Sequence, residues 1–293
     1  MLKYNISIDM LRLLNPSVKV SDFEYFVNSL RLLTGNYDKK TGVVISDGFI
    51  ANVKYWESFN CKMFRYNITY TDVEGGTFYV GYKHNSESIG QRYKLVLEYN
   101  PNKVDFSFFR EFKIKFFKDK TKIIVKSFDI AVDFQDVNIL NCILDTAQKK
   151  NKLIFDMGGD DRTVYCGKGD GRVKLYNKKK EQEKKGLAIP FDSLTRFETS
   201  FSIKSSVTLS NVSTYLALLD YTIYPKVNIY SNILLESAEN RCMLLGLTQE
   251  PSLLSCFTRK MKEKYKAILK DYDSYQLNKC DILMCFDKFI INW

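Results

Sequence analysis

DRTVYCGKGDGRVKLYNKKKEQE, residues 161–183, places two β-branched and aromatic runs, Thr163-Val164-Tyr165-Cys166 and Arg172-Val173-Lys174-Leu175-Tyr176, on either side of Gly167-Lys168-Gly169-Asp170-Gly171. Strand formers flanking a glycine-rich break predict a β-hairpin, because glycine supplies the positive φ that a tight reversal needs. Tyr176 then stands near a strand end, among Lys174, Lys178, Lys179 and Lys180. A free phenol titrates near ~10 and cationic neighbours favour its ionised form, so the setting points to a tyrosine able to attack a phosphate. The plain alternative is a strand tyrosine on a basic face.

The same pattern occurs earlier in the chain. Thr77-Phe78-Tyr79-Val80-Gly81 answers Thr163-Val164-Tyr165-Cys166-Gly167, and Arg92-Tyr93-Lys94-Leu95 answers Arg172-Val173-Lys174-Leu175. Outward from this first hairpin, Tyr4 to Leu14 alternates as a strand and stops at Asn15-Pro16. Ser21-Asp22-Phe23-Glu24 then forms a capping box for a helix carrying Phe23, Phe26, Val27, Leu30 and Leu33 up to Gly35. Strands are predicted over 62–71, 77–83 and 92–99, the first two joined at Gly75-Gly76, and a helix over 106–117. Around the second hairpin the order recurs: a strand over 122–134, a helix over 137–150, a strand over 152–156, the hairpin, and a strand over 195–203.

This gives an α+β fold of internally duplicated β-α-β-β-β units, forming antiparallel sheets with helices on one face. Residues 1–118 make the first repeat, 119–206 the second repeat with the candidate site, and 207–293 a helical C-terminal region. In that region, helical spacing runs over 211–221, 233–245, 251–272 and 280–291. Ser255 to Lys266 is strongly basic there, as a helix lying along phosphates or as a solvated face.

Composition narrows the function classes. Of 293 residues, 45% are hydrophobic and 27% charged, and 44 Lys and Arg against 34 Asp and Glu give a formal charge of +10. That balance fits a globular protein with a polyanionic partner, nucleic acid first. Seven scattered cysteines without a CxxC pair argue for a reducing compartment and against a zinc knuckle. The single histidine, His84, rules out a histidine-pair site. No apolar leader or membrane span is read in the sequence, so a cytoplasmic location without membrane contact is expected.

Candidate carboxylates flank the Tyr176 hairpin. Period-two geometry puts Asp129, Ala131 and Asp133 on one face of Ser127-Phe128-Asp129-Ile130-Ala131-Val132-Asp133, opposite Phe128, Ile130 and Val132. In Thr195-Arg196-Phe197-Glu198-Thr199-Ser200, Arg196, Glu198 and Ser200 share a face. Carboxylates of this kind suit Mg²⁺ or Mn²⁺, and a guanidinium fork suits a phosphate. For each carboxylate alone, the competing reading is an intrasheet ion pair.

These blocks together resemble the replication initiation factors of rolling-circle plasmids, a family that includes staphylococcal plasmid initiators, relaxases of some integrative elements and related phage proteins. The resemblance covers roughly residues 60–205. It rests on the acidic alternating strand 127–133, the run from Thr163 through Tyr176, Asn177, Lys178 and Glu181, and Arg196-Phe197-Glu198; Leu97 to Lys103 resembles a further block. It implies Tyr176 as nucleophile, Asp129, Asp133 and Glu198 beside a divalent metal, and Arg196, Lys174 and Lys178 near phosphate. Arg172 and Lys168, at the turn, complete the candidate DNA contacts. Asn177 stands where the family often has an acidic residue.

The resulting expectation is an origin-specific, metal-dependent enzyme that nicks and rejoins one DNA strand through a 5′-phosphotyrosyl link. It would act on origin duplex and single strand, with a host helicase and a second copy of the chain as further candidate partners. The alternatives are a non-catalytic DNA-binding protein on the same scaffold, a conjugative relaxase with the same chemistry, and an RNA-binding protein whose aromatic strands stack bases.

Overall fold

The computed structural model describes residues 2–34, 43–44, 52–57, 63–71, 75–88, 90–145, 152–156, 160–167, 171–231 and 233–293. In chain order the elements are β1 (Tyr4–Lys19), α1 (Val20–Thr34), β2 (Val43–Val44), β3 (Asn52–Glu57), β4 (Phe64–Thr71), β5 (Thr77–His84), β6 (Arg92–Tyr99) and α2 (Ser107–Phe117). There follow β7 (Ile124–Gln135), β8 (Cys142–Asp145), β9 (Lys152–Asp156), β10 (Arg162–Cys166), β11 (Val173–Asn177), α3 (Lys178–Glu183) and β12 (Leu194–Ser202). The remainder holds α4 (Val212–Ala217), β13 (Lys226–Tyr230), α5 (Ala238–Gln249), α6 (Arg259–Ile268), β14 (Tyr272–Gln276) and α7 (Lys279–Ile291). The fold is mixed α and β with extensive antiparallel sheet. Its contacts divide the chain into two compact units, one of Ser7–Ile130, Phe201–Leu218 and Leu283–Trp293, the other of Met1–Ile6, Ala131–Ser200 and Leu219–Ile282.

In the first unit the strand order is β2-β3-β4-β5-β6-β1, each pair antiparallel. Alternation along β4 and β5 sends Tyr66, Tyr70, Phe78 and Tyr82 to one face, and both helices cover that face with aromatic rings. Phe23 of α1 stacks on Tyr82 at 3.9 Å, and Phe78 packs on Phe109 and Phe112 of α2 at 5.2 and 5.7 Å. Phe109, Phe112 and Phe116 recur at three and four residues and are buried, which is why this aromatic-dense segment is a helix. Burying rings of this size contributes about 2–3 kcal/mol each.

The sequence places the end of the first strand at Asn15-Pro16, yet β1 continues to Lys19. Its register against β6 shifts between Asn15 and Val18, so Pro16, which has no N–H to give, falls in a bulge.

In the second unit the order is β7-β12-β11-β10-β9, and β14-β13-β8 form a separate three-stranded antiparallel sheet. Ile143, Tyr230, Ile233, Leu244, Leu247 and Tyr265 make a core that joins the small sheet to α5 and α6. Phe134 and Phe197 meet Tyr275 edge-on at 5.4 and 6.3 Å.

Two expectations fail here. The helix expected over 137–150 is a 3₁₀ turn at Ile139–Asn141, capped by Asn138, followed by β8; residues 146–150 lie outside the described residues. Cys142, Ile143 and Leu144 take the strand because β13 offers them a hydrogen-bonding edge and a buried face. The second repeat therefore lacks its helix among the described residues, and the duplication is not established. Likewise, the region read as wholly helical contains β13 and β14. Its expected helix over 251–272 is split into a 3₁₀ segment, Pro251–Cys256, and α6, which starts after the Thr258 cap. Among the described residues no helix is long and apolar enough to cross a membrane.

Candidate active site

The central hairpin forms as the sequence predicts. β10 and β11 pair antiparallel with Thr163 opposite Tyr176 and Tyr165 opposite Lys174, and β11 pairs with β12 so that Tyr176 faces Arg196 and Lys174 faces Glu198. Residues directly opposite share a face, so Tyr176, Lys174, Arg196, Glu198, Thr163 and Tyr165 project together. Val164, Val173, Leu175 and Phe197 project to the other side and are buried.

On the charged face the Tyr176 hydroxyl donates to Oε1 of Glu198 at 2.6 Å, and Lys174 Nζ donates to the other carboxylate oxygen at 2.9 Å. Arg196 grips Asp133 of β7 through two bonds, Nε to Oδ1 and Nη2 to Oδ2, both 2.6 Å. Its Nη1 lies 3.9 Å from Oε1 of Glu198. The ammonium groups of Lys174 and Lys178 sit 4.9 and 5.7 Å from the Tyr176 ring centroid. A chain of contacts thus runs from Asp133 through Arg196 and Glu198 to the phenol.

Asn177, where the resemblance leads one to expect an acid, caps α3 by accepting from the Lys180 amide at 3.0 Å. The cap turns the chain into a helix one residue after Tyr176 and swings Lys178 into a buried position, paired with Glu181 at 2.6 Å. Glu181 also accepts from Lys185. These two partners were absent from the candidate set read in the sequence, and the i+3 and i+4 spacing of Lys178, Glu181 and Lys185 on a helix is the signal that finds them. Burial pushes the Glu181 carboxyl up, but the bonds from Lys178 and Lys185 outweigh it and hold the group down at about 2.

The phenol behaves against expectation. Tyr176 is only 9% exposed, and burial, reinforced by the Glu198 charge, drives its pKa well above the ordinary 10.0; Arg196 opposes this without prevailing. Cationic neighbours do not preionise the tyrosine, because losing its proton in a desolvated place beside a carboxylate costs more than they return. The hydroxyl keeps its proton at rest and donates it in the hydrogen bond to Glu198 Oε1.

The remaining candidates are placed as follows. Asp129 is half-buried on β7. Arg172 is exposed at the turn, where its carbonyl accepts from the Ser200 amide at 2.9 Å. Lys168 lies outside the described residues.

As a cation site the set does not fit as it stands. Both oxygens of Asp133 serve Arg196, and those of Glu198 serve Tyr176 and Lys174. No group of three or more His, Cys, Asp or Glu poised for a metal ion occurs among the described residues.

No family model matches the sequence, and no curated protein matches it. The rolling circle replication initiator protein from Geobacillus stearothermophilus aligns over 84% of this chain and 97% of that chain, with 12% identity and a TM-score of 0.38. A likeness that distant carries no argument, and the functional case rests on the residues above.

Proposed function

We propose that the chain cuts and rejoins one strand of DNA through Tyr176 and so initiates rolling-circle replication at an origin. The observation that carries the reading is the 2.6 Å bond from the Tyr176 hydroxyl to Glu198, set beside Lys174 and Arg196 on one sheet face, with Lys178 of α3 5.7 Å from the tyrosine ring. Tyr176 Oη attacks the scissile phosphorus while its proton passes to Glu198 Oε1. The P–O3′ bond breaks, the departing O3′ takes up a proton, and the 5′-phosphate stays on the tyrosine. Lys174 and Arg196 offset the charge that builds on the phosphoryl oxygens. Rejoining reverses these steps, and the phosphotyrosyl bond conserves the energy needed.

The test is origin cutting by Tyr176→Phe. The wild-type chain converts supercoiled origin plasmid to open circle and leaves a peptide on the 5′ end, seen by mass spectrometry; Tyr176→Phe does neither. A covalent complex of full yield from that variant ends the proposal. The same assay with EDTA, Mg²⁺ or Mn²⁺ reads the dependence on a divalent cation. A second reading, a DNA-binding protein without catalysis, draws on the engagement of both carboxylates in intrasheet pairs. It is supported if the wild-type chain shifts origin DNA but never opens the supercoil.

A further inference from the structure

Asp133, read in the sequence as a metal ligand, is placed for a different task. We infer that it is a positioning residue which holds the Arg196 guanidinium at the Tyr176–Glu198 pair, and that it does not itself touch the scissile phosphate or a cation. This rests on the proposed cutting reaction.

The two bonds from Arg196 to Asp133 are parallel, and the side chains are only 10% and 17% exposed. A forked pair of this kind fixes the plane of the guanidinium as well as its position. Nη1 of the guanidinium so held lies 3.9 Å from Glu198 Oε1, the oxygen that accepts the Tyr176 hydrogen bond. At 3.9 Å this is too long for a hydrogen bond and close enough for a strong field. The separation matters chemically. Were Arg196 to close on Glu198, that oxygen would become a poorer base and would compete for the Tyr176 proton less well. Asp133 draws the guanidinium back along β7, so one cation steadies the site without capturing the base. Lysine cannot replace arginine here, because a single ammonium cannot make the fork and face Glu198 together. Lys174, bonded to Oε2, leaves Oε1 to the tyrosine.

The experiment compares Asp133→Ala, Asp133→Glu, Arg196→Lys and the double variant Asp133→Ala with Arg196→Lys. It uses single-turnover cutting of an oligonucleotide spanning the origin of the element that encodes the chain. Asp133→Ala should slow the covalent step ~10²-fold, the size expected when a reacting group is displaced by about 1 Å. Binding of the same oligonucleotide in a Tyr176→Phe background should stay within ~3-fold, because the group acts through Arg196 and not on DNA. Asp133→Glu should restore much of the rate, and the double variant should be no slower than the slower single, as for residues that act as a unit. The Mn²⁺ concentration giving half the maximal rate should not move.

A wild-type rate in Asp133→Ala, rescue of that variant by raised Mn²⁺, or multiplied losses in the double variant each overturns the inference. If Asp133→Ala fails to fold by circular dichroism, Asp133→Asn keeps the volume and one acceptor, and the same outcomes apply with a loss of ~10-fold, about one charge-assisted bond. Should Tyr176→Phe still form the covalent complex, the cutting reaction falls and takes this inference with it. If Tyr176→Phe is dead while Asp133→Ala is fully active, only the positioning role falls.

Discussion

In the first unit Tyr79 of β5 pairs with Glu98 of β6, whereas in the second unit Tyr165 of β10 pairs with Lys174 of β11. The sequence aligns Tyr79 with Tyr165 and Lys94 with Lys174, so matching hairpins would pair Tyr79 with Lys94. The first hairpin is instead shifted by four residues, from 94 to 98. The glycines differ too. Gly167 ends its strand with φ near 78°, a turn requirement, while Gly81 lies inside β5, where a Cβ would come within 2.6 Å of the Phe64 ring. An even shift preserves which face each side chain takes, so both hairpins keep an alternating pattern and lose their common geometry. What separates them is the side chains on matching faces. Aromatic helices bury the Phe78 face of the first hairpin, and the matching face of the second, with Val164, Val173 and Leu175, is buried with smaller aliphatic side chains; the opposite face of the second carries Tyr176 and Lys174 beside Arg196 and Glu198 of β12.

The largest test of this contrast exchanges tyrosines. Tyr176→Phe should abolish the covalent DNA complex, while Tyr79→Phe, which loses a bond to Asn67, should leave the cutting rate unchanged in the same gel assay. Next come the glutamates. Glu198→Gln removes the proton acceptor and should slow cutting by about 10²–10⁴-fold, the range for loss of a general base. Glu98→Gln touches a pair with Arg12 and should cut normally.

Stability should show the reverse asymmetry. Phe78→Ala opens a cavity under α2 and should cost about 3–5 kcal/mol in urea unfolding. Its counterpart Val164→Ala, also buried, should cost about 2 kcal/mol for the methyl groups lost. Equal costs would mean that the two faces are packed alike.

The smallest effect is acid sensitivity in the second unit. The Glu181 carboxyl is held at about 2 against an ordinary 4.5, so the unfolded chain binds that proton more readily than the folded one. Its stabilisation is complete above about 4.5 and is lost as pH falls toward 2. Glu181→Gln should therefore unfold with a flatter pH profile across that interval, followed by circular dichroism.

Where local rules sufficed, the elements were legible. The spacing of Phe23, Phe26 and Leu30 gave α1, which begins at Val20, one residue before the Ser21 read as its cap, and the glycine turn between two strand runs gave the Tyr176 hairpin. Val137 to Asp145 was not legible, because a short apolar run fits helix and strand equally and the partner that decides it, β13, lies some 80 residues on. The site divides in the same way. Alternation placed Asp133 on one face of its strand, and Arg196 with Glu198 on one face of theirs, but it could not say which cation each carboxylate would meet.

The sequence by itself determined the Tyr176 hairpin and the strands that flank it, which of their residues alternate to a common face, and that tyrosine, lysine and carboxylate would crowd one hairpin, since those follow from covalent geometry and periodicity. Only the tertiary structure decided that Asp133 belongs to Arg196, that the Tyr176 hydroxyl donates to Glu198, and that the phenol is un-ionised at rest. Charge partners and desolvation depend on which strands lie side by side, and strand order is set by pairings between residues far apart in the chain.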